Sequence, residues 1–200
     1  MTHDDVNNSR RRFLVGATSV VGGVGVVGAA VPFVASWNPS AKAKSAGAPV
    51  KVNISKLEPG QQMIVEWRGK PVWVVRRTPE MLENIDKLIQ RGDLVDPESN
   101  RETQQPEYAK NKYRAIKDEF WVAVGLCTHL GCSPKYRPEV GPEDLGEDWL
   151  GGFFCPCHGS RFDLAGHVFK GVPAPSNLVV PPHHYIDDNT LEIGVDPEAA

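Results

Sequence analysis

Cys127-Thr128-His129-Leu130-Gly131-Cys132 and Cys155-Pro156-Cys157-His158-Gly159-Ser160 are the two stretches on which the reading of this 200-residue chain turns. Each offers two thiols and one imidazole, and together they contain all four cysteines of the protein. Both follow strand-like runs and both carry Gly or Pro, so they read as loops at the tips of neighbouring strands, able to converge on a metal.

Zinc takes four Cys or His ligands in a tetrahedron, and six candidates are present. The spacings C-x-H-x2-C and C-x-C-H suit the paired C-x2-C knuckles of a zinc ribbon poorly. The other partition takes Cys127 and His129 from the first loop and Cys155 and His158 from the second. It leaves Cys132 and Cys157 over, free to join in a disulfide if the protein is exported. Two thiolates and two imidazoles on a pair of irons make a centre of raised potential, because neutral nitrogen donors replace anionic sulfur and an added electron meets less repulsion.

Working outward, Phe120-Trp-Val-Ala-Val-Gly-Leu126 is a buried-strand pattern running straight into Cys127. Met63–Trp67 and Pro71–Val75 flank Arg68-Gly69-Lys70 as a hairpin. Thr78-Pro79-Glu80 starts a helix that ends near Gly92. Residues 93–112 are polar, Pro-interrupted and irregular. Strand-sized pieces follow at His167–Phe169, Asn177–Val180, His184–Ile186 and Leu191–Ile193. His167, His183 and His184 read as surface strand residues, and Pro138–Asp148 as an acidic surface excursion whose role stays open. The expected fold is an all-β head of small antiparallel sheets with one helix insertion.

Ahead of the head lies an address. Ser9-Arg10-Arg11-Arg12-Phe13-Leu14 has the S-R-R-x-F-L arrangement of a twin-arginine export signal, and residues 13–37 contain no charge. As a helix they extend ~37 Å, enough to cross a hydrocarbon core of ~30 Å. The expected layout is a cytoplasmic tail (1–12), an uncleaved single transmembrane anchor (13–37), a tether (38–50) and a metal-binding domain (51–200, with the cluster part at about 127–175). Glycines 16, 22, 23, 25 and 28 suit either close approach by a second membrane helix or the export route alone. The Ala/Ser/Pro-rich tether reaches at most ~45 Å and is either a swing arm or a passive spacer. Residues 51–200 hold 17 Lys/Arg against 23 Asp/Glu, an acidic balance that argues against a nucleic-acid partner.

In the order anchor, tether, β-rich head, C-T-H-L-G-C, C-P-C-H-G-S, the chain resembles the bacterial Rieske iron–sulfur subunits of ubiquinol–cytochrome c reductase, the cytochrome bc1 complex. The resemblance implies one [2Fe–2S] cluster, with Cys127 and Cys155 on the inner iron, His129 and His158 on the outer one, and a Cys132–Cys157 disulfide. It makes His129 and His158 the quinol-facing catalytic groups, Leu130 an apolar contact beside them, and Ser160 a hydrogen-bond donor to the cluster. Pro173-Ala174-Pro175 resembles the family's proline loop, one residue longer than its G-P-A-P form. Phe162 stands where many members have a tyrosine, which implies a lower potential here. The implied partners are ubiquinol, a cytochrome b subunit and a c-type cytochrome in a dimeric complex of the inner membrane, the head on the periplasmic side. The rival readings are the Rieske subunit of another exported oxidoreductase such as arsenite oxidase, and a zinc-stabilised interaction module. A ring-hydroxylating dioxygenase ferredoxin fits less well, needing neither the anchor nor Cys132 and Cys157.

Overall fold

The structure, a computed structural model, describes residues 7–41, 43 and 47–197. The expected tail before residue 7 and tether positions 42 and 44–46 lie outside the described residues. The chain divides into two units, residues 1–45 and 46–200.

The first unit holds helix α1, Asn8–Ala35, long and apolar enough to span a membrane. It begins five residues before the apolar run, because the Asn7 side chain caps it by accepting from the Arg10 N–H at 3.1 Å. Arg10, Arg11 and Arg12 therefore sit in its first turns, at the end where the helix dipole disfavours positive charge. They belong to the stretch that matches the twin-arginine pattern expected from the sequence. Thr18 spends its hydroxyl on the Leu14 carbonyl, which hides that donor from lipid.

Among its described residues the second unit is built from three three-stranded antiparallel sheets, one α-helix and two short 3-10 turns. Strands β2 (Gln62–Trp67) and β3 (Lys70–Arg76) form the expected hairpin, with Arg68 and Gly69 both at positive φ. That is the twist a two-residue turn needs to match its strands. β3 then pairs with β4 (Phe120–Val124). β1 (Val50–Asn53), β9 (Thr190–Ile193) and β8 (His183–Asp187) make a second sheet. β5 (Lys135–Arg137), β6 (Gly152–Phe154) and β7 (Arg161–Phe162) make the third, which carries the second ligand loop between β6 and β7.

β3 and β4 are covered on both faces, and this explains their unbroken apolar runs. Val72, Val74, Val122 and Val124 face Val52, Ile54, Leu191 and Ile193 of the β1-β9-β8 side. Trp73, Val75, Trp121 and Ala123 face Phe153, Phe162, Val168 and Leu178 on the cluster side. The Trp73 indole stacks on Phe153 with centroids 4.7 Å apart. Gly125 is required here, since any side-chain carbon would collide with the Trp73 ring.

Helix α2 (Pro79–Arg91) carries the expected caps, Thr78 accepting from Met81 N and Gly92 closing in the left-handed conformation. Two expected strands do not form. Val168 and Phe169 make only isolated bridges, to Phe162 and Leu94. Asn177–Val180 is extended but bonds to three separate segments, through Leu178 N to Gly166 O, Val179 O from Val124 N, and Val180 N to Gln104 O. The reason is local: the Asn177 side chain accepts from Val168 N at 2.9 Å and takes a ladder position for itself.

Candidate metal centre

The two ligand loops have one backbone design. Cys127 N donates to Cys132 O at 2.7 Å and Gly131 N to Cys127 O at 2.9 Å; Cys155 N donates to Ser160 O at 2.8 Å and Gly159 N to Cys155 O at 2.9 Å. Each loop thus closes over six residues, with a glycine fifth. Gly131 (φ 81°) and Gly159 (φ 78°) are left-handed, which a side chain would resist. The equivalence puts Cys127 and Cys155 at the same first position of the two loops.

Cys127 and Cys155 are both buried and free, inside the core made by Trp73, Trp121, Phe153 and Phe162. Burial pushes the Cys155 thiol up, and the adjoining Cys127 sulfur adds to that. Cys132 and Cys157 form a disulfide that joins the loops. The sulfurs of Cys132, Cys155 and Cys157 lie within 4.8 Å of one another. Two of those three are spent on the disulfide, so that trio is no ligand set.

The imidazoles of His129 and His158 meet edge to face, centroids 4.8 Å apart and planes at 88°. Nδ1 of His129 is buried without a hydrogen-bond partner. Such a nitrogen is costly unless it binds something. His158 is exposed and Leu130 is 71 % exposed, so an apolar tip surrounds the rings.

Pro173-Ala174-Pro175 closes the third side, and two hydroxyls fasten it. Thr128 Oγ1 donates to Ser176 O at 2.6 Å, and Ser160 Oγ accepts from Ala174 N at 3.1 Å. Ser160 keeps its own proton to donate. Thr128 escaped the sequence reading, because its partner lies 48 residues away. Phe162 is fully buried in the same core.

One expectation about the surroundings needs correction. His167 and His183 are buried, at 0 % and 1 % exposure, not surface residues. His167 Nδ1 lies 2.8 Å from Asp163 Oδ2, and His183 Nδ1 lies 2.8 Å from the Pro181 carbonyl. Local polar partners make burial tolerable. The 138–148 segment is mostly exposed and is fastened to the head near both ends. Arg137 forks onto Asp144 at 2.7 and 2.8 Å, Leu145 and Trp149 are buried, and Trp149 Nε1 donates to Arg137 O at 3.1 Å.

Two buried thiols, two facing imidazoles and an orphan nitrogen suit a metal group. The donor set would also satisfy zinc, so geometry leaves the choice of metal to ancestry.

Fold and loops together define the Rieske class of iron–sulfur proteins. Residues 49–182 match the family model described as "Rieske [2Fe-2S] domain", and residues 1–40 match "Ubiquitinol-cytochrome C reductase Fe-S subunit TAT signal". The ubiquinol–cytochrome c reductase iron–sulfur subunit of Allochromatium vinosum is 63 % identical over 98 % of this chain and 93 % of its own length. Those of Blastochloris viridis and Rhodospirillum rubrum are 41 % identical (96 % of each chain) and 42 % identical (94 % of this chain, 92 % of that one). Among solved structures, a chain of "Hyperthermophilic respiratory Complex III" is 27 % identical, covering 90 % of this chain and 98 % of that one, with a TM-score of 0.47. This chain belongs to the family of ubiquinol–cytochrome c reductase iron–sulfur subunits. Its cofactor is a Rieske-type [2Fe–2S] cluster, and the zinc reading falls with that assignment.

Proposed function

We propose that this chain is the electron-transfer subunit of a ubiquinol–cytochrome c reductase. Cys127, Cys155, His129 and His158 would hold the cluster. The reading is carried by one observation: two imidazoles meet at an exposed, apolar tip while the two free thiols lie buried beneath them.

The cluster supplies one-electron acceptance at a potential that nitrogen ligation raises into the range of ~−150 to +300 mV. The rest is the work of side chains. Leu130 and the Pro173–Pro175 segment present an apolar rim to the quinol ring. The exposed edge of His158 takes the hydroxyl of ubiquinol as a hydrogen-bond donor and receives its proton, with His129 as the second such edge. Ser160, its hydroxyl proton free to donate, would favour the reduced state of the cluster. Thr128 keeps the first loop and the proline segment closed against water.

The partners are a cytochrome b subunit, where quinol is oxidised, and a c-type cytochrome that receives the electron, within a dimeric complex. α1 anchors the chain in the bacterial inner membrane with the head in the periplasm. The layout is tail 1–12, anchor 13–37, tether 38–50 and domain 51–200.

Electron paramagnetic resonance of the reduced protein, with iron and acid-labile sulfide analysis, tests the ligand set. Replacing His158 or His129 should abolish the Rieske signal and quinol–cytochrome c reduction together. A His158 variant that keeps both would overturn the assignment.

A further inference from the structure

A cleft of ≈ 300 Å³ beside the cluster loops is lined by Arg91, Gly92 and Asp93 at the end of α2, by Asp148 and Trp149, and by Arg161, Phe169 and Lys170. Its chain neighbours are the ligand elements themselves. Arg161 follows Ser160 directly, and Lys170 precedes the Gly171–Pro175 segment. Along β7 the buried Ser160 and Phe162 flank a half-buried Arg161, so strand alternation turns Arg161 away from the core and into the cleft.

The cleft has a rigid frame. Trp149 stacks on Phe169 with centroids 6.0 Å apart, and Lys170 Nζ donates to the Gly92 carbonyl at 2.7 Å. Arg91 is held by Asp93 at 2.9 Å and by Asp148 at 3.5 Å. Two of the three cations are therefore engaged, and both acids face Arg91. Among the described residues, the Arg161 side chain has neither ion pair nor hydrogen bond. An unopposed guanidinium on a head of net negative charge is an unmet demand for a carboxylate.

We propose that this cleft is a docking notch in which Arg161 receives an acidic side chain of the protein that accepts the electron. The inference rests on the functional reading above. The acceptor is preferred over the quinol site because the cleft is lined by charged side chains, whereas the tip that meets quinol is apolar. Charge complementarity of this kind governs encounter and register more than final affinity.

The test uses the whole purified complex carrying Arg161→Gln or Arg161→Lys. Haem reduction after quinol addition is followed by stopped flow across a chloride series and a phosphate series of matched ionic strength. Arg161→Gln should slow reduction of the c-type haem by about threefold to tenfold and flatten its salt dependence, and Arg161→Lys should recover much of the rate. The cluster's paramagnetic signal and potential should match wild type in both. Wild-type rate and salt dependence in Arg161→Gln would overturn the notch. So would a wild-type rate that responds to phosphate but not to chloride, which would mark a site for free anions. A wild-type complex that reduces no haem from quinol would instead overturn the functional reading, and the notch with it.

Discussion

Thr128 Oγ1 donates to the carbonyl of Ser176 at 2.6 Å, tying the first ligand loop to the end of the proline segment. Ser176 is buried, so its carbonyl has no water to turn to if the hydroxyl is lost. Thr128→Val should cost about 1–3 kcal/mol, the price of a buried acceptor left unpaired. Cluster loss on heating, followed by visible absorbance, should come at lower temperature than in wild type, and Thr128→Ser should restore it. A Val variant as durable as wild type would show that the clamp is dispensable.

Phe162 lies fully buried in the core that also contains Cys127 and Cys155. A hydroxyl at its ring edge would add one hydrogen bond to a sulfur, favouring the reduced cluster. At a net ~1 kcal/mol per bond, Phe162→Tyr should raise the potential by about 40 mV for one electron. Redox titration decides it, and no change or a fall would remove the idea.

The Cys132–Cys157 disulfide joins residues 25 apart in sequence and links the two loops. Loop-closure entropy puts its contribution at about 3 kcal/mol. The double variant Cys132→Ser, Cys157→Ser should unfold more easily by roughly that amount and shed its cluster sooner, as calorimetry and absorbance would report. Unchanged thermal behaviour would mean that the cluster alone holds the loops.

His183 is buried, its pKa lowered from 6.5 to about 4, mainly by loss of solvation. Its Nδ1–H donates to the Pro181 carbonyl, so the ring is held neutral. Above pH 6.5 the native and unfolded states are both unprotonated there, and the group contributes no pH dependence. Between pH 6.5 and 4 the unfolded chain binds a proton that the native state refuses, so stability falls as pH falls. By pH 4 the loss reaches about 3 kcal/mol, and below it no further loss comes from this residue. Denaturant unfolding of wild type and His183→Gln across this window should show a shallower acid slope in the variant. Equal slopes would mean that His183 is not the group responsible.

Much of the head was legible before any fold was known. Thr78, Pro79 and Gly92 announce α2 through backbone rules that need no distant partner, and Arg68-Gly69 does the same for the hairpin. The continuous apolar runs of β3 and β4 announce burial on both faces. His167 and His183 read as surface residues in the sequence because histidine in a short polar strand normally faces water, and nothing nearby in sequence reveals a core closing over them. The 138–148 acids announce a surface segment. Asp144 does face solvent, but it also clamps Arg137, and Trp149 anchors the segment from its far end.

From residue order alone follow the donor types, their division between two loops, the glycines that let those loops turn, and the apolar helix behind its arginines. Each is a property of a few consecutive residues, set by backbone sterics, side-chain chemistry or hydropathy. Folding had to supply the rest: the meeting of His129 with His158, the joining of Cys132 to Cys157, the clamp from Thr128 to Ser176, and Arg161 left alone in its cleft. These depend on distances between segments far apart in the chain, and such distances exist only after sheets and core have packed.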